Sequence, residues 1–212
     1  MIEAGTGPRV VQLGYARPTG QNVKRAAAGA EGPVLDHYSA VATEAHVRAV
    51  GDPMLDALPA QLVGSIFCDS LEVYGSDWTP ALPAEFARRR GYDLLRVLYL
   101  LTVEGPEAAR LRADYHRTLV ELYEENFVTV CQRWAAGRGV PFRIQGYGTP
   151  PATISSYRFA SVRGRGLGLA GNPEDSVGVV SCASLRPQHR FRRGLDLGAL
   201  ALLPGHAARP QG

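Results

Sequence analysis

Long apolar runs are missing from this 212-residue chain. Nothing in it approaches the ~20 consecutive apolar residues of a membrane-spanning helix, so no membrane partner is expected. Cysteine is scarce: three residues, at positions 68, 131 and 182, odd in number and scattered. That pattern argues against a disulfide framework or a zinc site. Cys68 and Cys131 fall on expected buried faces and read as reduced core thiols. Excess charge is lacking too. A net charge of +3 is too small to point to a nucleic-acid or anionic-membrane partner. The opening Met1-Ile-Glu-Ala-Gly-Thr-Gly7 has neither the basic flank nor the apolar core of a secretory signal, so a cytoplasmic location is the expectation, export of a longer parent aside.

What is present suffices for a core, since 45% of the residues are hydrophobic. The chain is short, however, for a complete eight-stranded barrel, which takes about 250 residues. Arg9–Tyr15 reads as a first strand that runs into the Pro18/Gly20 loop. Ser39 is the expected N-cap of a helix to about Val50, closed by Gly51 and Asp52-Pro53, with a second short helix around Met54 to Leu62. Pro83 suits the start of a helix ending at Gly91, and Asp93 the cap of the next, Leu94 to Leu101. From Pro106 to Gly137, Leu111, Tyr115, Leu119, Leu122, Val130 and Trp134 recur at helical spacing, with charged residues on the other face. Val140–Gly146 is then a further strand. Strands separated by helices predict parallel pairing, because the connections are too long for hairpins.

The chemistry concentrates in Gly64-Ser-Ile-Phe-Cys-Asp-Ser-Leu-Glu-Val-Tyr-Gly75. Ile66, Phe67 and Cys68 make a short buried strand, and Asp69 and Glu72 follow where it ends. In a barrel of alternating strands and helices, acids at the carboxyl end of a strand face the mouth of the site.

Three blocks carry a family resemblance. The first is Arg17-Pro-Thr-Gly-Gln-Asn-Val-Lys-Arg25 running on to Gly29-Ala-Glu-Gly-Pro-Val-Leu-Asp-His-Tyr38. The second is Phe67-Cys-Asp-Ser-Leu-Glu-Val-Tyr-Gly75 with Asp77-Trp-Thr-Pro80 and Phe86-Ala-Arg-Arg-Arg-Gly-Tyr-Asp93. The third is Asp114-Tyr-His-Arg-Thr118, Glu125-Asn-Phe127 and Phe142-Arg-Ile-Gln-Gly-Tyr-Gly-Thr-Pro150. In order and spacing, over roughly residues 9 to 160, they resemble glycoside hydrolase family 106, the α-L-rhamnosidase-like enzymes.

The resemblance implies an α/β fold, a partial (β/α)8 TIM-barrel-like segment over residues 1–160, and a carbohydrate substrate with terminal α-L-rhamnosyl linkages. It implies hydrolysis with inversion by two carboxylates, which stand about 6.5–9.5 Å apart with water between them. Glu72 matches the motif as one of the pair, its role as acid or base left open. Asp69 is the weaker catalytic candidate and could instead orient its surroundings, bind sugar hydroxyls or coordinate a cation. Calcium is the cation the resemblance suggests, although no ligand loop is visible. Tyr74 and Trp78 are candidate sugar platforms, with a core-anchoring role as strong a reading for Trp78. Asp36 and His37 end an extended run and can reach the mouth, though a lone histidine there is more often structural. Gln145 and Tyr147 stand at a strand end and can bond substrate. Lys24 and Arg25 read chiefly as solvated flanks of a loop. Two rival readings stay open: a small hydrolase of another substrate class using Asp69 and Glu72, and a non-catalytic carbohydrate-binding fragment.

From residue 161 the composition changes. The last 52 residues contain no Lys, Ile, Tyr, Trp, Thr or Met, and Arg, Gly, Leu, Ala and Pro dominate. Residues 161–212 read as a low-complexity, disordered or poorly packed tail, either a flexible basic extension or, the better fit, the product of a shifted reading frame. In either case the chain as given is expected to be incomplete and inactive, lacking the second acid.

Overall fold

The computed structural model describes residues 10–24, 31–146 and 150–160, together with Gly7, Ala26, Ala28, Gly29 and the backbone of Val162–Arg163. The described part is rich in helix and carries one small sheet. Strands β1 (Ile66–Cys68), β2 (Phe142–Ile144) and β3 (Val162–Arg163) pair in the order β1-β2-β3, parallel throughout, with Ile66 opposite Phe142 and Cys68 opposite Ile144. The expected parallel pairing of the 64–69 and 140–146 regions is therefore present. Helices fill the interval between them, as a parallel connection requires.

Helix α1 (Ala40–His46) begins at Ser39, whose Oγ accepts the Ala42 N–H at 3.2 Å. It does not stop at Gly51. A π turn (Val47–Gly51) carries it into α2 (Asp52–Asp56), with the Asp52 N–H bonded to the Val47 carbonyl. The reason is tertiary. Gly51 is buried under Trp134, where an added Cβ would lie 2.4 Å from the ring. Asp52 Oδ1 accepts the Trp134 indole N–H at 2.8 Å. The residues that look like a stop signal are instead a seat for an aromatic ring.

Helix α3 (Leu82–Arg90) starts beside Pro83 and ends at Gly91, which takes φ 81°, the left-handed conformation that glycine adopts most readily. Asp93 caps α4 (Leu94–Val97), its carboxylate accepting the Leu95 N–H at 2.9 Å, and a 3-10 turn (Leu98–Thr102) follows. The long periodic stretch forms α5 (Pro106–Tyr123), a second π turn (Glu124–Val128) and α6 (Thr129–Gly137) without a break. Its apolar face, with Leu111, Leu119, Leu122 and Val128 almost wholly buried, packs into one core with Tyr38, Leu82, Phe86, Leu94, Phe142 and Ile144. Full burial of each such side chain contributes ~1.5–3 kcal/mol. At the edge of this core, Arg89 donates to both Glu125 oxygens and Arg90 to Glu121, fastening α3 to the long helix.

One element departs from expectation. Residues 10–15 carry no strand, and Val10, Val11, Leu13 and Tyr15 are exposed. Alternation alone does not make a strand: the backbone enters a single bridge at Ala16, directly after the segment, and residues 10–15 add no ladder to it. Its recorded side-chain tie is Gln12 Nε2 to Thr102 Oγ1 at 2.9 Å. The tail and reading-frame expectations rest on residues 161–212, which lie outside the described residues apart from the backbone of Val162–Arg163 in β3.

Candidate functional site

The site is built from the turn that follows β1. The Gln145 N–H donates to the Cys68 carbonyl at 3.0 Å, so the β1–β2 pairing extends one step past the strands. Asp69 and Gln145 therefore follow directly on the carboxyl ends of neighbouring parallel strands. Asp69 is exposed, and its Oδ1 accepts the Ser70 N–H at 2.7 Å. Gln145 is half-buried, and its side-chain carbonyl has no hydrogen-bond partner among the described residues.

Beyond Asp69, burial alternates. Leu71 and Val73 are each 7% exposed and anchor the turn in the core, which leaves Glu72 and Tyr74 outward. A hairpin-like loop then fixes this turn from outside. Its two arms are joined by Val34 N–H to the Gln21 carbonyl (3.0 Å) and Val23 N–H to the Gly32 carbonyl (2.9 Å), around an antiparallel bridge of Asn22 and Pro33. From this loop the Gln21 side chain donates to the Glu72 carbonyl at 2.6 Å and accepts the Tyr74 N–H at 2.8 Å. One amide thereby does for the turn what a neighbouring strand would do. Lys24, the sole lysine of the chain, places its ammonium 3.6 Å from the Glu72 carboxylate and 5.6 Å from the centre of the Tyr74 ring.

The other expected residues divide by role. Asp36 is tied inward: its carboxylate accepts the Tyr38 N–H at 2.9 Å and the Thr79 hydroxyl at 2.8 Å. His37 packs edge-on against Phe127, centroids 4.6 Å apart, and its Nδ1 is buried without a hydrogen-bond partner among the described residues. Burial holds its pKa down at about 4, with a hydrogen bond to the Leu35 carbonyl acting the other way. It is a neutral side chain wedged against Tyr123 and Phe127. Trp78 is half-buried against the core and also lines a cleft with Tyr15 and Tyr99, apart from the Lys24–Glu72–Tyr74 group. Tyr147 lies outside the described residues. Cys68 and Cys131 are free thiols, each pushed up to about 12 chiefly by burial.

A family model for alpha-L-rhamnosidases matches residues 5–149. The chain belongs to glycoside hydrolase family 106. Among relatives, a Formosa agariphila protein named "Putative beta-glucuronidase" is 30% identical over 149 residues, which is 66% of this chain and 13% of that protein. Among solved structures, the rhamnosidase of Novosphingobium sp. PP1Y superposes with a TM-score of 0.52 at 25% identity, over 58% of this chain and 13% of the other. The chain thus spans about an eighth of the length of these family relatives.

Two groups that sequence reasoning passed over matter here. Gln21 sits inside a recognised block, but its amide's grip on the turn is a tertiary fact. Glu124 is 2% exposed on the second π turn, with its carboxylate receiving the hydroxyls of Ser155 and Ser156 and, at 3.1 Å, the Arg158 guanidinium. A glutamate inside a charged helical face carries no signal that it is the buried one. As for a cation, calcium takes six to eight oxygen ligands. No cluster of Asp, Glu, His and Cys side chains arranged to hold a metal ion is found among the described residues. The donor set among the described residues does not make a calcium cage.

Proposed function

We propose that Glu72 supplies one of the two carboxylates by which a family 106 glycosidase hydrolyses a terminal α-L-rhamnosyl linkage. The observation that carries this reading is the outward carboxylate of Glu72 on the turn after β1, with its carbonyl and the Tyr74 N–H both bonded by the Gln21 amide and its charge met by Lys24. The parallel strands β1 to β3 are read as part of a (β/α)8 barrel, in which such turns form the mouth of the site.

Inverting hydrolysis divides the work. One carboxyl group gives its proton to the departing glycosidic oxygen, and the other takes a proton from water attacking the opposite face of the ring. Glu72 performs one of these steps. Asp69, three residues earlier on the same strand end, is at most about 10 Å away along the chain and approaches from the same wall. It suits sugar hydroxyls better than the opposing role, so the second acid is assigned to a part of the barrel outside the described residues. Tyr74 offers a ring face to the C–H face of the sugar, and Gln145 an amide to its hydroxyls. Lys24 brings positive charge to the Glu72 carboxylate, in an exposed pair worth only about 0.2–1 kcal/mol.

The test is to incubate the 212-residue chain with an aryl α-L-rhamnoside. No turnover above background is expected, because one wall carries only one acid of the pair. Turnover abolished by Glu72→Gln would establish the residue's role and overturn the assignment of the second acid. Turnover that survives Glu72→Gln would overturn the reading of Glu72 itself.

A further inference from the structure

We infer that the cleft between residues 12–16 and the α4/3-10 corner is a second carbohydrate-binding site, shaped for one neutral pyranose ring. It has a volume of about 340 Å³ and is lined by Gln12, Tyr15, Trp78, Leu95, Tyr99 and Thr102, among others. That volume lies at the small end of the ~300–1,000 Å³ range of ligand clefts.

The lining chemistry selects the occupant. Three aromatic residues bound the cleft, two of them on its outer surface, with Tyr15 46% and Tyr99 53% exposed. Large exposed aromatic rings that end in a hydroxyl or indole N–H combine an apolar body with a polar tip. A pyranose has the matching duality, a C–H face and a rim of hydroxyls. Gln12 and Thr102 supply the polar floor: Gln12 Nε2 donates to Thr102 Oγ1 at 2.9 Å, and the Thr102 hydroxyl passes its proton bond on to the Tyr99 carbonyl at 2.8 Å. None of the described residues lining the cleft is charged, which disfavours a uronate or a sugar phosphate and favours a neutral ring. Leu95, 58% exposed, and Leu98 beside it give an apolar surface for the methyl group of a 6-deoxy sugar. The cleft stands on its own geometry; the choice of a sugar rests on the glycosidase reading.

This site does not use Glu72 or Lys24. It would hold a second residue of a glycan, or the free product, and so set which oligosaccharides are retained by the protein.

The measurement is a tryptophan-fluorescence titration of the full 212-residue chain with methyl α-L-rhamnopyranoside, with methyl glucuronide as the charged comparator. A saturable change in the millimolar range is expected, absent in Trp78→Phe because the other tryptophan, Trp134, packs on Gly51 away from the cleft. Tyr99→Ala and, as a second surface variant, Leu95→Asp should each weaken binding tenfold or more, while Glu72→Gln leaves it unchanged. Binding lost in Glu72→Gln but kept in Tyr99→Ala and Leu95→Asp would overturn the inference and leave the catalytic reading standing. No saturable change up to about 100 mM would overturn it as well, with the reading of Glu72 still to be decided by the turnover assay. Equal binding of the glucuronide would overturn the neutral-ring selection.

Discussion

Lys24 Nζ stands 3.6 Å from the Glu72 carboxylate, although both side chains remain largely in solvent. An ion pair in that setting stabilises little. What fixes the geometry is the uncharged neighbour, Gln21, whose amide bonds the main chain on both sides of Val73. Orientation comes from the amide and charge from the lysine.

Replacing Gln21 by Ala should therefore loosen the turn more than replacing Lys24 by Met. A hydrogen bond of this kind contributes about 0.5–1.5 kcal/mol net, so the Tyr74 amide should exchange with solvent about threefold to tenfold faster in Gln21→Ala. Hydrogen-exchange NMR on the 212-residue chain reads this directly. Unchanged exchange at Tyr74 would show that the turn is held by Leu71 and Val73 alone.

Glu124 ties the second π turn of the long helix to the 3-10 helix Ile154–Phe159 through Ser155, Ser156 and Arg158. Its carboxylate is buried, so truncation leaves a guanidinium and two hydroxyls without their acceptor. A hydrogen bond to a charged group contributes about 1.5–3 kcal/mol, and Glu124→Ala should lower stability by about that amount. Since one end of Arg158 is exposed, the lower figure is expected. Denaturant unfolding measures the loss, and limited proteolysis should cut within 154–159 first. A change below about 0.5 kcal/mol would mean that apolar contacts hold this segment.

His37 predicts a pH dependence. Burial lowers its pKa from 6.5 to about 4, so the unfolded chain takes up a proton in a range where the folded chain does not. Stability is then full above pH 6.5 and falls as the pH drops toward 4, by about 2 kcal/mol at pH 5 and about 3 kcal/mol in total. His116, also lowered by burial, acts in the same direction. Below pH 4.5, Glu85 and Glu125, held down chiefly by bonds from Arg88 and Arg89 respectively, add their own loss. Urea unfolding between pH 7 and 5 isolates the histidines. His37→Phe should flatten most of the slope, and an unaltered slope would contradict the burial argument.

Much of this fold was legible in the sequence because its signals are local. Ser39, Pro83, Gly91 and Asp93 mark helix ends through bonds made within a few residues, and each does so in the structure. The face of Leu111, Leu119 and Leu122 follows from period alone. Legibility failed where a distant partner decides. Gly51 and Asp52-Pro53 have the composition of a stop, yet Trp134 turns them into a helix interior. Residues 10–15 have the composition of a strand, yet pairing begins only as a single bridge at Ala16. At the site, the motif around Glu72 was readable and its alternation with buried Leu71 and Val73 follows from it. The grip of Gln21 and the burial of Glu124 are made by contacts across the fold, which no spacing rule encodes.

The central claim is that Glu72 is one of the two catalytic carboxylates, and covalent labelling tests it without requiring turnover. An epoxyalkyl α-L-rhamnoside, incubated with the 212-residue chain, keeps its glycosidic oxygen and presents an electrophilic carbon just beyond it, on the leaving-group side. A carboxylate positioned for catalysis opens the epoxide and keeps the sugar as an ester, which peptide mass spectrometry locates. The account predicts a single dominant adduct on Glu72, suppressed by excess L-rhamnose and absent from Glu72→Gln. A dominant, rhamnose-protected adduct on Asp69 or any other acid, with Glu72 unlabelled, would contradict it.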